Sequence, residues 1–176
     1  MKQALVVVPK AGLSVKQYER TRRLLEREGF RVQVASSTRD EIEQLDFRLK
    51  PDLGLSQVRG GDYDVVVFVA GHGNRELWDS EDAHRIARDA LAAGRVVAAS
   101  GAAVAILARA GVLRGRTATG PVSLAATIEK EGGQYTAEPV WAEDGIVTLR
   151  RSEAFEEFGR QIVEQHRQRT RMEKAA

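Results

Sequence analysis

The 176-residue chain contains no cysteine. That absence excludes disulfides, thiolate-held metals and thiol catalysis. Histidine is scarce too. His72, His84 and His166 lie far apart and offer no metal-ligand spacing, so neither a metal nor another cofactor is expected. His84 and His166 fall on charged helical stretches and read as surface residues. Aromatic residues make up only 6% of the chain, and Trp78 and Trp141 stand singly. Single indoles are packing or interface residues, not a stacking platform for nucleic acid. The 27 Lys and Arg nearly balance the 25 Asp and Glu. The two signs are interspersed, the pattern of solvated faces, and no nucleic-acid partner is expected. The basic stretch of about 167–176 reads as a frayed, solvated tail. No apolar run approaches the length of a membrane span, and Met1-Lys2-Gln3 leads directly into a short strand with no cleavage pattern behind it. A cytoplasmic protein that uses no membrane is the expectation.

What is present is enough apolar residue, 43% of the chain, for one compact domain over residues 1–176. Residues 4–8, 65–69 and 96–100 are continuous apolar runs, as in strands buried on both faces, and residues 30–35 alternate around Val32 and Val34. Ser14 is placed to cap a helix that ends at Gly29, and a second helix runs from about Ser80 to Ala93. Ser123 and Ser152 are read as caps of two later helices, the last one presenting Phe155, Phe158, Ile162 and Val163 at helical spacing. In residues 44–58, Leu45, Phe47 and Leu49 alternate, Pro51-Asp52 turns, and Leu53, Leu55 and Val58 follow, which predicts a hairpin-like excursion. Residues 139–141 and 146–149 form a second hairpin around Glu143-Asp144-Gly145. Strands alternating with helices imply a mainly parallel sheet covered on both faces, a flavodoxin-like three-layer α/β/α sandwich.

The stretch Val96-Val97-Ala98-Ala99-Ser100-Gly101-Ala102-Ala103-Val104 is the most telling. A strand of small residues runs straight into a helix. Such a turn is where a nucleophile elbow sits in α/β proteins, above the carboxyl end of the sheet.

Several segments, in order, resemble the PfpI/ThiJ superfamily, whose fold is that of class I glutamine amidotransferases. They are Tyr63 to Gly73, Gly94 to Ala99, Leu107-Ala108-Arg109-Ala110-Gly111-Val112-Leu113-Arg114-Gly115-Arg116-Thr117-Ala118-Thr119, and Glu131-Gly132-Gly133-Gln134-Tyr135 with the Gly145 hairpin. The resemblance covers nearly the whole chain. It places the family's elbow cysteine on Gly101 and the histidine that often follows it on Ala102. The acidic residue of the first helix falls on Gln17. The glutamate that the protease-like branch borrows from a neighbouring subunit falls on Arg75, or on Glu76 if the register slips by one. The resemblance also implies a homodimer or higher homo-oligomer, and an oxyanion notch formed in part by Gly71-His72-Gly73.

Three readings of function stand open at this point. The first is a degenerate relative, a pseudoenzyme that binds a small anionic or carbonyl ligand, or a protein, without turnover. Its pocket would be formed by Gln17, Gly71, His72, Arg75, Gly101 and Ala102, with anion attraction from the helix that opens at Gly101. The second is a hydrolase or lyase in which Ser100 attacks and His72 serves as base. The competing expectation for Ser100 is a strand-terminal residue whose hydroxyl bonds to backbone. The third is a chaperone-like or stress-related interaction protein acting through its oligomer surface, which requires an extensive exposed apolar patch.

Overall fold

A computed structural model describes residues 1–176. The strands are β1 (Gln3–Val7), β2 (Arg31–Ser36), β3 (Ile42–Gln44), β4 (Phe47–Leu49), β5 (Leu53–Gly54), β6 (Val65–Phe68), β7 (Val96–Ser100), β8 (Thr117–Ala118), β9 (Gln134–Tyr135), β10 (Val140–Glu143) and β11 (Ile146–Leu149). The helices are α1 (Val15–Arg27), α2 (Arg75–Trp78), α3 (Glu81–Ala92), α4 (Val104–Arg109), α5 (Ala125–Lys130) and α6 (Phe155–Ala175). Seven strands form the main sheet in the order β10-β11-β7-β6-β1-β2-β5. Every neighbouring pair is parallel except β10–β11.

The apolar runs fill both faces of this sheet by strand alternation. Leu5, Val7, Val66, Phe68, Val97 and Ala99 join one core cluster, beneath α3 and α4. Val6, Val34, Val67, Val69 and Ala98 join the other, beneath α1 and α6. The α/β fold with helices on both faces is therefore the one the sequence implies. Ser14 caps α1 as expected, its Oγ accepting the Gln17 N–H at 3.5 Å, and Ser80 caps α3 through the Ala83 N–H at 3.2 Å.

Several local expectations fail. The first hairpin is β3–β4, closed by Leu45 and Asp46, while Leu53-Gly54 returns to the main sheet as a parallel partner of β2. Leu45 holds the turn at φ +49, a conformation that leucine does not advertise. Ser123 and Ser152 cap nothing with their side chains. Each lies inside a 3-10 turn, residues 122–124 and 152–154, that leads into α5 and α6. The C-terminal stretch, expected as a solvated tail, is helical, with α6 running on to Ala175. Arg95 pairs with Glu173 at 3.3 Å, and the Arg169 guanidinium packs over Gly145. No helix is long and apolar enough to cross a membrane.

Candidate functional site

The carboxyl ends of β1, β6 and β7 lie side by side, and their three exit loops meet there. At the end of β7, Ser100 is still extended (φ −117, ψ 141), and the chain reverses at Gly101 with φ +54. Glycine adopts that angle freely and other residues do so at a cost. Residues 101–103 form a 3-10 turn before α4 begins. A Cβ on Gly101 would stand 3.2 Å from the Ala70 Cβ.

Ser100 is buried and engaged at this corner. It is 2% exposed, and its Oγ accepts the Ala70 N–H at 3.0 Å. That bond stitches the exits of the neighbouring strands β7 and β6. No hydrogen bond joins Ser100 to His72, so the nucleophile–base contact required by the hydrolase reading is missing. His72 is exposed, and its ring lies against Gly12, where an added Cβ would stand 2.8 Å from it.

The Gly71-His72-Gly73 turn is a close packing seat. A Cβ on Gly71 would collide with the Gly12 carbonyl, and one on Gly73 with the Ala11 carbonyl. Segment 11–13 lies directly across the turn. The Ser14 N–H also donates to the Ala70 carbonyl at 3.0 Å, which brings the first turn of α1, and so Gln17, to the same corner. The expected free amides are not all free. Gly73 N–H donates to Gly12 O at 3.4 Å and Asn74 N–H to Gly71 O at 3.0 Å. The helix that follows Gly101 has only six α-helical residues, so few peptide dipoles add behind the turn. Fewer backbone donors stand open at this turn than the sequence implied.

Two buried oxygens at this corner have no donor. Gln17 Oε1 is one. The other is Oδ1 of Asn74, a fully buried side chain whose Nδ2 donates to Val69 O at 3.1 Å. The sequence reading missed Asn74, since an asparagine in a glycine-rich turn carries no signal of burial.

The rim comes from α2. Trp78 Nε1 donates to the Ala102 carbonyl at 3.0 Å and so ties α2 to the turn after Gly101. The Arg75 guanidinium lies over the Trp78 ring at 5.3 Å, with Arg109 at 5.5 Å. Arg109 is paired with Asp79 at 2.6 Å, whereas Arg75 has no carboxylate partner. The Glu76 carboxylate accepts from the Lys10 N–H at 3.0 Å and the Ser37 hydroxyl at 2.8 Å. Of the two alternatives, Arg75 is therefore the one with uncommitted charge.

The other two histidines are not surface residues. His84 is 6% exposed, and its Nε2–H donates to the Trp78 carbonyl at 2.6 Å. Its helix buries Ala83, Ile86, Ala87 and Ala90, and position 84 falls where the end of α2 needs a donor for its last carbonyls. His166 is half-buried and packs edge-on against Phe30 at 5.0 Å. Burial pushes the His166 imidazole below its ordinary value, with Asp64 pulling the other way. No three His, Asp or Glu side chains gather closely enough to hold a metal ion.

The sequence profile of the DJ-1/PfpI family matches residues 2–165. The chain belongs to the DJ-1/PfpI family. An uncharacterized protein of Methanocaldococcus jannaschii is 26% identical over 167 residues, 92% of this chain and 80% of that one. Protein dj-1beta of Drosophila melanogaster is 26% identical over 168 residues, 94% of this chain and 90% of the fly protein. Among solved structures, a ThiJ/PfpI domain protein from Brachyspira murdochii superposes with a TM-score of 0.85 at 24% identity, covering 92% of this chain and 94% of its own. Drosophila DJ-1beta superposes with a TM-score of 0.80 at 24% identity, covering 97% and 96%. The cysteine nucleophile associated with this DJ-1/PfpI scaffold has no counterpart in a chain without cysteine.

Proposed function

We propose that this DJ-1/PfpI protein is a non-enzymatic binder whose elbow takes a small anionic or carbonyl ligand. One observation carries the reading. The turn that should present a nucleophile presents Gly101, while the adjacent hydroxyl of Ser100 is buried and engaged with Ala70. Covalent catalysis needs a nucleophilic atom within reach of a base, and this turn offers neither. Binding needs less. Arg75 supplies an uncommitted charge-assisted donor at the rim, and Trp78, locked to Ala102, supplies an apolar wall. A homo-oligomer and a cytoplasmic location belong to the same reading. The chaperone-like alternative has less behind it. The exposed large apolar side chains are Met1, Leu45, Val122 and Met172, which lie on separate elements.

The test is a titration of the isotopically labelled protein with glyoxylate, which carries both a carboxylate and a carbonyl, followed by amide NMR. Methylglyoxal consumption is assayed in parallel. The expected result is saturable movement of the Gly71, Gly101 and Ala102 amides, lost in Arg75→Ala, with no consumption of methylglyoxal. Steady consumption abolished by Ser100→Ala would replace this reading with the hydrolase or lyase one. An elbow whose amides do not move would end it.

A further inference from the structure

The rim of the elbow stands on a very short element. α2 is a single turn, Arg75–Trp78. A helix of that length does not hold itself and takes its position from what surrounds it. Its approach is fixed by Asn74, whose Nδ2 donates to Val69 O at 3.1 Å. Leu77 is buried and anchors its inner face in the core. The last carbonyls of a helix have no helical partner of their own. Here Leu77 O takes the N–H groups of Asp79 and Ser80. Trp78 O is taken by a side chain, the Nε2–H of His84 at 2.6 Å.

His84 is well placed to give that support. It belongs to α3, whose Ala83, Ile86, Ala87 and Ala90 are fully buried, so its backbone is held by the core. A carbonyl only accepts, so Nε2 carries the proton. The other ring nitrogen, Nδ1, lies 3.8 Å from Glu81, whose side chain is 87% exposed. A contact so open to water adds little. From Trp78 the linkage passes on. Its carbonyl is held by His84, and its indole Nε1–H donates to Ala102 O at 3.0 Å. The same ring lies 5.3 Å from the Arg75 guanidinium and 5.5 Å from that of Arg109. One residue thus ties the core helix α3 to the turn after Gly101 and to the uncommitted cation at the rim.

We propose that His84 is a positioning residue for the elbow, acting through Trp78 to set where the Arg75 guanidinium and the Ala102–Ala103 peptide stand when ligand binds. The inference rests on the elbow being the binding site. The His84 donor does not serve its own helix, whose N-terminus is capped by Ser80. It serves α2. An aliphatic side chain at position 84 would fill the core and leave the Trp78 carbonyl without this donor. Released at its C-terminal end, α2 would no longer hold Arg75 and the indole wall in one geometry. A charge-assisted contact depends steeply on distance and angle, so loosening the rim weakens binding.

His84→Leu and His84→Gln are compared with the parent by amide and indole NMR and by glyoxylate titration. The glutamine amide can donate to the Trp78 carbonyl, and leucine cannot. In the ligand-free protein, His84→Leu should shift the Trp78 indole N–H resonance upfield and move the Ala103 amide, whose peptide carries the Ala102 carbonyl. Trp78→Phe identifies the indole signal by removing it. Glyoxylate affinity should fall about threefold or more in His84→Leu. His84→Gln should stay near the parent in each respect. Trp78→Phe keeps an aromatic wall without the Nε1–H and should show the same loss of affinity, which tests the linkage even where His84→Leu fails to fold. A role confined to stability would lower the urea midpoint of His84→Leu and leave the indole and Ala103 signals in place. That result overturns the proposal, as does parent-like glyoxylate affinity in His84→Leu or in Trp78→Phe. A parent that binds no glyoxylate ends the reading of the elbow as a binding site, while the ligand-free signals still decide whether His84 positions the turn.

Discussion

Ser100 and Ala70 are joined across the exits of two neighbouring strands, the Ser100 hydroxyl accepting the Ala70 N–H at 3.0 Å. This contact turns the one hydroxyl beside the elbow into a structural group. Ser100→Ala would leave the Ala70 N–H buried and unsatisfied, which costs about 1–3 kcal/mol. Urea unfolding of the variant should show that loss. A variant as stable as the parent would mean that the hydroxyl is not committed to Ala70.

Gly101→Cys should fold at a cost of about 1–2 kcal/mol, because position 101 holds φ +54. The Ala70 Cβ, 3.2 Å from the new side chain, must also yield slightly. Arg75 should draw the thiol below the ordinary cysteine value of ~8.5. The pH dependence of iodoacetamide alkylation measures this. Adding Arg75→Ala should return the thiol toward its ordinary value. An unperturbed thiol in the single variant would separate Arg75 from the elbow.

Leu45 is fully exposed at the β3–β4 turn and sits at φ +49. Leu45→Asn places a residue that tolerates this conformation there and should stabilise the protein by about 0.5–1 kcal/mol. A raised urea midpoint with unchanged slope checks it. A loss of stability would show that the leucine side chain contributes a contact.

Stability should fall in acid partly through His166. Burial lowers its folded-state affinity for protons, so the unfolded chain binds more of them. Stability therefore rises with pH up to the unfolded histidine value of about 6.5 and is lost as pH falls below it. Lys2 and Arg95 act in the same direction as burial, while Asp64 and Glu173 oppose it. His166→Gln should flatten the dependence of the urea midpoint on pH between roughly 7.5 and 5.5. An unchanged slope would assign the acid sensitivity to other groups.

Much of this protein was legible in its residue order. The short apolar runs of β1, β6 and β7 read as strands buried on both faces. Their alternation with helices set the parallel sheet, and the absence of cysteine removed thiol chemistry. Those signals are local, because burial imposes a periodicity on each segment separately. The elbow at Gly101 was readable for the same reason, as a run of small residues between a strand and a helix. Other features arise only when segments distant in sequence meet. The direction of the Ser100 hydroxyl depends on Ala70. Closure of the Gly71–Gly73 turn depends on Ala11 and Gly12, and burial of His84 on the Trp78 carbonyl. The close approach of α1 and α6 joins Leu24 to Gly159, and no local pattern announces that pairing. Hydrogen-bond partners and unpaired charges are properties of packed neighbours, so tertiary structure alone decided which polar groups at the elbow are occupied.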